Sequence, residues 1–198
     1  EFHWDESHYG TVTSIFSIIY AISMVFAGRF VDWLGTKKGY LWAIGIWSLG
    51  ACMHAFCGIV TEAVAGMGSA AELVRATGDA VVLISTVSMY CFLVARSVLA
   101  IGESGNFPAA IKTTAEYFPK KDRAFATSIF NAGASIGALI APLTIPLLAK
   151  AYGWEMAFII IGVLGFIWMG VWVFVYDKPE NSKYVNAAEL EYIRQAIS

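Results

Sequence analysis

The chain has 198 residues, of which 58% are hydrophobic and 14% are charged, and its mean hydropathy is +0.64. Because a water-soluble domain carries about 25% charged residues, this composition excludes an ordinary soluble protein and predicts one that lies in a membrane. The formal net charge of −2 favours no class of partner, and no nucleic acid, metal or cofactor is expected to bind.

The sequence contains five apolar stretches that are long enough to cross a bilayer, and the third of them is interrupted by two charged residues. Unpaired backbone groups are costly in lipid, and these stretches are continuously apolar rather than alternating, so each is predicted to be a helix and not a barrel strand. The predicted fold class is therefore an all-α membrane protein. The predicted helices cover about residues 9–33, 38–60, 80–117, 122–150 and 154–176.

Basic residues are distributed unequally between the two sets of connecting loops, and cytoplasmic loops are those that carry an excess of lysine and arginine. One set holds ten basic residues and the other holds two. This bias predicts that the first set is cytoplasmic, that the chain begins outside and that its C-terminus is inside. The ten are Arg29, Lys37, Lys38, Lys112, Lys120, Lys121, Arg123, Lys178, Lys183 and Arg194, and the two are Arg75 and Lys150.

The connection after the first predicted helix is short and basic. Gly28 and Gly35 allow a tight turn, and Asp32 lies ahead of Lys37 and Lys38. A carboxylate in such a turn can cap a neighbouring helix N-terminus. The alternative interpretation is an ordinary cytoplasmic hairpin with positive charge.

The second predicted helix and the loop that follows it carry few polar groups. His54 is interpreted as a packed or interfacial residue, with a proton relay as the alternative. Residues 59–79 form a long loop in which AAELVRA is predicted to be a short surface helix. The three cysteines lie in apolar runs without metal-ligand spacing and are interpreted as buried apolar residues. They are Cys52, Cys57 and Cys91.

Two charged residues, Arg96 and Glu103, interrupt the apolar stretch 80–111. On a helix, a separation of seven residues corresponds to about 10 Å along the axis and about 20° around it, so both side chains share one face. A charge near the bilayer centre costs about 2.5–3.5 kcal/mol, so the pair is predicted to line a polar cavity for a charged solute or a proton. The alternative is that the span ends near Ala95 and that Arg96 reaches the interface.

Later in the same helix, Pro108 removes an internal hydrogen bond and predicts a kink near Ser104. Residues 102–105 also spell the GxSG pattern of rhomboid intramembrane proteases. That chemistry needs a histidine on a later helix to activate Ser104, and no histidine follows it in the sequence. The enzyme interpretation is therefore rejected.

The fourth predicted helix contains a GxxxG pair, Gly133 and Gly137, which predicts close helix packing rather than contact with a solute. Asp122 is predicted to be the N-cap of this helix. After the fifth helix the chain turns polar, and Asn186 with Glu189 is typical of a capping box ahead of a short amphipathic helix.

Taken together, these residues resemble the major facilitator superfamily. The pattern GxxxDxxGxKK that begins at Gly28 is similar to the signature between the family's second and third helices, from which it departs at Trp33. Arg96 and Glu103, followed by Asn-Phe-Pro-Ala, resemble the fourth helix of the anion:cation symporter branch. The overall resemblance is to the bacterial hexuronate and other sugar-acid transporters of that branch.

The resemblance implies that residues 1–178 supply helices two to six of a six-helix N-terminal bundle and that residues 179–198 begin a cytoplasmic central linker. The first helix and the C-terminal half of the protein would then be partners that lie outside this chain. The acidic, polar start without Met is typical of a piece of a longer protein. The implied location is the bacterial inner membrane, with several spans and a cytoplasmic C-terminus.

The same resemblance implies proton-driven import of a sugar-acid anion, hexuronate above all, by alternating access. Arg96 keeps its charge at any physiological pH. Two effects act on Glu103 in opposite directions: loss of hydration favours its neutral form, and the nearby Arg96 favours its charged form. Substrate binding is assigned to Tyr20, Arg96 and Asn131, and proton coupling to Glu103; for Tyr20, a packing or lipid-facing role is the alternative. The conformational motif comprises Gly28, Asp32, Gly35, Lys37 and Lys38.

Two other classes of membrane protein are compared with the carrier. A sensor or non-transporting scaffold built on a transporter fold stays open, and transport of a radiolabelled acid into proteoliposomes would separate it from a carrier. A channel is disfavoured because the sequence contains no ring of repeated charges and no filter-like loop. The expected partners are a small organic anion, protons and membrane lipid.

Overall fold

The regular elements of the computed structural model are all α-helices across residues 1–194, which are the residues that the structure describes. Within this range, five helices are long and apolar enough to cross a membrane, so the predicted fold class is confirmed. The helices are α1 (Glu6–Leu34), α2 (Thr36–Ala65), α3 (Ala70–Arg75), α4 (Asp79–Tyr117), α5 (Arg123–Tyr152), α6 (Trp154–Val175) and α7 (Ala187–Arg194).

Single glycines separate α1 from α2 and α5 from α6. Gly35 has a φ of +80° and Gly153 a φ of +90°, a region that residues with a side chain rarely adopt. The chain can therefore leave one long helix and enter the next within one residue. These two connections join the long helices without any intervening loop.

Helix α2 is central, because α4 and α6 both pack closely on it. A Cβ atom added to Gly102 of α4 would lie 2.2 Å from the backbone nitrogen of Trp47. A Cβ atom added to Gly162 of α6 would lie 2.9 Å from the carbonyl oxygen of Ser48. Glycine permits this approach of two backbones, as small residues commonly do in membrane helix bundles.

Helix α5 lies at the edge of the bundle. Ala126 is the one residue of α5 that is buried in the described part of the chain. Gly133 and Gly137 lie on this helix, and a Cβ atom added to either would meet nothing within 4 Å. The close packing predicted for this pair therefore has no partner within residues 1–194.

The first four residues of the chain fold onto the ends of α3, α4 and α6. Trp4 donates a hydrogen bond from Nε1 to Oγ of Ser88 over 2.8 Å, and His3 donates one to the carbonyl oxygen of Leu73 over 2.8 Å. Leu73 belongs to the short helix predicted within the loop 59–79, which the structure contains as α3. These contacts lie at the end of the bundle where α1 begins and α2 ends.

His54 is fully buried in α2, at 0% exposure. Its Nδ1 donates a hydrogen bond to the carbonyl oxygen of Gly50 over 2.7 Å, and its ring stacks on Phe158 of α6 with 4.6 Å between centroids. This geometry agrees with the interpretation of a packed residue. Of the cysteines, Cys57 is buried, and Cys52 and Cys91 are half-buried and unbridged.

Three local predictions concern helix ends and one proline. Asn186 and Glu189 exchange hydrogen bonds of 3.0 and 2.8 Å, so the predicted capping box ahead of α7 is present. Asp122 occupies the N-cap position of α5, but its side chain caps no amide there and accepts a hydrogen bond from the Tyr192 hydroxyl over 2.8 Å. Helix α4 continues through Pro108 without a break.

Candidate functional site

Helix α4 carries Arg96 and Glu103 in its central part. Arg96 lies about 26 Å from the start of the helix and Glu103 about 21 Å from its end, taking 1.5 Å per residue. Both side chains are half-buried, and their separation of seven residues places them on one face of α4. Within residues 1–194 the two residues form no direct salt bridge. The acidic and basic groups therefore face the same region without neutralising each other by contact.

Helix α1 brings an aromatic pair to Arg96. The Cζ atom of Arg96 lies over the ring of Phe16, 5.8 Å from its centroid. Phe16 in turn stacks on Tyr20, with 6.1 Å between centroids and 16° between planes. Phe16 therefore lies between Tyr20 and Arg96, and the substrate-binding roles assigned to these two residues stay predictions. Phe16 was not singled out in the sequence, although its i, i+4 spacing to Tyr20 marks both as neighbours on one helix face.

Asn131 is not brought into contact with these residues. It lies on α5, its side chain is exposed, and in the described part of the chain that side chain makes no hydrogen bond. The contact between α5 and α4 is made instead by the neighbouring residue, since the rings of Phe130 and Phe107 pack edge to face with 5.5 Å between centroids.

The conformational motif predicted around the first connection surrounds the Gly35 turn. The capping predicted for Asp32 is not found at α2, whose N-cap is Gly35 and has no side-chain hydrogen bond. Instead, Asp32 accepts a hydrogen bond from Nζ of Lys112 on α4 over 2.7 Å. Lys37 pairs with Asp177 after α6 over 2.9 Å, whereas Gly28 is half-buried and Lys38 is exposed. The motif therefore joins α1 and α2 to the ends of α4 and α6.

A single carboxylate ties three helices together at the same end, which we call the basic end. Glu116 of α4 accepts hydrogen bonds from the Thr36 hydroxyl of α2, over 2.6 Å, and from the Tyr176 hydroxyl that follows α6. Tyr176 is buried, and burial together with the hydrogen bond to Glu116 raises the pKa of its phenol. This cluster leaves no local signal in the sequence, because Thr36 and Tyr176 are 80 and 60 residues from Glu116.

The serine considered for the rejected enzyme is held within its own helix. Ser104 is 2% exposed, and its hydroxyl donates to the carbonyl oxygen of Ile101 over 2.8 Å. Among residues 1–194 there is also no group of three or more side chains suited to hold a metal ion. The geometry therefore offers binding and charge, and no activated nucleophile at this position.

Comparison with known proteins gives a consistent assignment. Residues 1–196 match the sequence model of the Major Facilitator Superfamily. The chain is 33% identical over 193 residues to a hexuronate transporter of Escherichia coli, and the match covers 98% of this chain and 38% of that protein. It is 31% identical over 193 residues to a galacturonate transporter of Dickeya chrysanthemi, covering 98% of this chain and 48% of that protein.

A probable galactarate/D-glucarate transporter of Escherichia coli is 29% identical over 187 residues, covering 94% of this chain and 37% of that protein. The chain thus spans between a third and a half of the length of these curated relatives. All three relatives are named as transporters, which agrees with the prediction that the chain is not an enzyme. The match to the family along almost its whole length shows that the chain belongs to the major facilitator superfamily.

Proposed function

We propose that this chain is part of a secondary active transporter that imports a sugar-acid anion, hexuronate first, together with protons by alternating access. The observation that carries the proposal is the placement of Arg96 and Glu103 in the middle of the membrane-length helix α4, half-buried and without a direct salt bridge within residues 1–194. Charged side chains in such a position mark substrate and proton pathways. The names of the relatives supply the class of substrate.

In this proposal, residues 1–178 are helices two to six of the N-terminal bundle, and residues 179–198 begin the cytoplasmic linker. The protein lies in the bacterial inner membrane, and its basic end faces the cytoplasm, because positive residues concentrate in the loops there. The first helix and the C-terminal half complete the transport path. The length of the relatives, of which this chain spans 38% in the hexuronate transporter, supports this arrangement.

Arg96 is proposed to hold the carboxylate of the substrate. A guanidinium stays charged at physiological pH and presents paired donors that match a carboxylate. The Tyr20 hydroxyl then binds a sugar hydroxyl from the neighbouring helix. Asn131, which is exposed on α5, is assigned to the same substrate when further helices enclose the site.

Proton coupling follows from the number of charges in a poorly hydrated region. Arg96 with an ionised Glu103 is neutral as a pair, and an entering anion would leave one uncompensated negative charge. Such a charge is costly away from water. A proton on Glu103 removes that excess, so the anion and the proton are bound together and released together. Asp32, Lys37 and the glycines of their motif are assigned to the conformational change.

The test is uptake into proteoliposomes by the complete transporter carrying Glu103→Gln. The amide is neutral at every pH, so proton-driven accumulation of hexuronate should be lost while exchange of hexuronate across the membrane persists. Glu180→Gln, at an exposed position in the segment after α6, is the matched control and should accumulate substrate normally. Undiminished uphill uptake by Glu103→Gln would refute the coupling role. Binding of hexuronate without any transport by the wild type would favour the sensor.

A further inference from the structure

We infer that Phe16 is a positioning residue that holds the Arg96 guanidinium ready for the carboxylate of the substrate. This inference rests on the proposed function, because it assigns a partner to the arginine of that site. The inference adds Phe16, a residue on α1, to the residues that prepare the binding site. The residue type alone does not indicate such a role, since a phenyl ring has neither a charge nor a hydrogen-bonding group.

Phe16 of α1 and Arg96 of α4 are in contact. The guanidinium carbon of Arg96 lies over the Phe16 ring, 5.8 Å from the centroid, which is within the range of a cation–π interaction. A cation–π contact draws on the charge of the guanidinium and needs no hydrogen bond to an acceptor. The five N–H donors of the group therefore remain able to donate to a carboxylate.

The N–H donors of Arg96 have no acceptor among the described residues. In the described residues, the Arg96 side chain makes neither a hydrogen bond nor a salt bridge, although it is half-buried in the middle of α4. A long side chain with so few polar partners would otherwise sample several rotamers, and ordering it costs conformational entropy. The ring of Phe16 therefore supplies the contact that selects one of them.

The Phe16 ring also contacts Tyr20, whose hydroxyl is the second group proposed to bind the substrate. Phe16 and Tyr20 stack one turn apart on α1, with planes 16° apart. Arg96 belongs to α4, so the contact with Phe16 sets the position of the guanidinium relative to the Tyr20 ring across two helices. A substrate that binds both groups would meet them already arranged, which lowers the ordering cost of binding.

The experiment compares hexuronate transport by the complete transporter carrying Phe16→Leu, Phe16→Tyr or Phe16→Trp. Loss of the ring should raise KM by about 2- to 30-fold, the range that corresponds to one cation–π contact, with kcat changed less than twofold. Tyr and Trp keep an aromatic face and should restore KM. Phe26→Leu removes a ring from an exposed position on the same helix and should leave both constants unchanged. If Phe16→Leu does not fold, Phe16→Met provides the same loss of the ring.

A second measurement needs no substrate. Phenylglyoxal modifies arginine side chains, and peptide-resolved mass spectrometry of the intact protein reports the rate at Arg96 separately from the other arginines. Phe16→Leu should change this rate several-fold, while Phe16→Trp and Phe26→Leu should match the wild type. If the wild type carries no sugar acid but these rates differ as expected, the proposed function fails, and only the contact by which Phe16 orders the Arg96 side chain stands. Unchanged KM and unchanged reactivity in Phe16→Leu, or failure of both aromatic variants to restore them, would overturn the inference.

Discussion

Replacing Gly102 by alanine should force α2 and α4 apart beside the candidate site. The added Cβ atom would lie 2.2 Å from the Trp47 nitrogen, whereas ordinary contact begins at 3.4 Å, so the backbones must separate by about 1.2 Å. Overpacking of this kind costs about 1–3 kcal/mol. Gly102 is adjacent to Glu103 in α4, so the displacement also moves the proposed proton carrier. A misplacement of about 1 Å can reduce a reaction rate by about 100-fold.

Two assays on the complete transporter measure these effects. The thermal midpoint in detergent should fall, by less than the about 2–4 °C per kcal/mol that holds for a domain of about 150–250 residues, because the complete transporter is longer. Proton-driven uptake in proteoliposomes should fall by more than tenfold. Gly170→Ala is the matched control, because a Cβ atom there meets nothing within 4 Å and α6 gains a residue with higher helix propensity. Its midpoint should stay the same or rise.

Both expected losses, of thermal midpoint and of uptake, arise from the contact between the backbones of α2 and α4. If Gly102→Ala has the midpoint and the uptake of the wild type, the close approach of α2 and α4 is not a feature of the working protein. If Gly170→Ala loses as much stability as Gly102→Ala, the loss has another cause, such as exclusion of alanine from membrane helices of this bundle, and the steric account is refuted.

Three further outcomes test contacts at the basic end. Tyr176→Phe removes a hydrogen bond to Glu116 and should cost about 1–3 kcal/mol at neutral pH. Burial raises the pKa of the Tyr176 phenol. The neutral phenol therefore contributes stability that is complete below about pH 10 and is lost as the pH rises further. Equal losses of thermal midpoint at alkaline pH in the wild type and in Tyr176→Phe would contradict this. Asp32→Asn breaks the ion pair with Lys112, in which the Asp32 side chain is 72% exposed. The free energy of unfolding should therefore change by less than about 1 kcal/mol, while uptake falls. Unchanged uptake would argue against the conformational role. Tyr192→Phe should make α7 about 2- to 10-fold more sensitive to limited proteolysis, because it loses its hydrogen bond to the α4–α5 connection; wild-type cleavage rates would show that this bond does not hold α7.

The helices and the charged pair could be predicted from the sequence for a clear physical reason. A bilayer admits only backbone that satisfies its own hydrogen bonds, so long apolar stretches have one solution. Arg96 and Glu103 stand out because a charge within such a stretch is costly. The same applies to the capping box of Asn186 and Glu189, whose partners are three residues apart.

Contacts between distant parts of the chain could not be predicted in the same way. Close packing of the GxxxG pair at Gly133 and Gly137 stays a prediction, whereas the close approaches among the described residues include those of Gly102 and Gly162, which the sequence does not mark as packing residues. Every glycine offers the same small surface, and only the arrangement of the helices decides which one faces a neighbour. Likewise, the role of Glu116 depends on partners 60 and 80 residues away, which no local pattern reveals.

The unequal packing of the long helices has a mechanical consequence. Helices α2, α4 and α6 are joined by glycine contacts along their length and by Glu116 at one end, so moving one of them past another would break close contacts. Helix α5 buries one residue against the rest of the described chain. Gly153 alone separates α5 from α6, so a change in the angle of α5 would disturb fewer contacts of the described residues than a displacement of α2, α4 or α6.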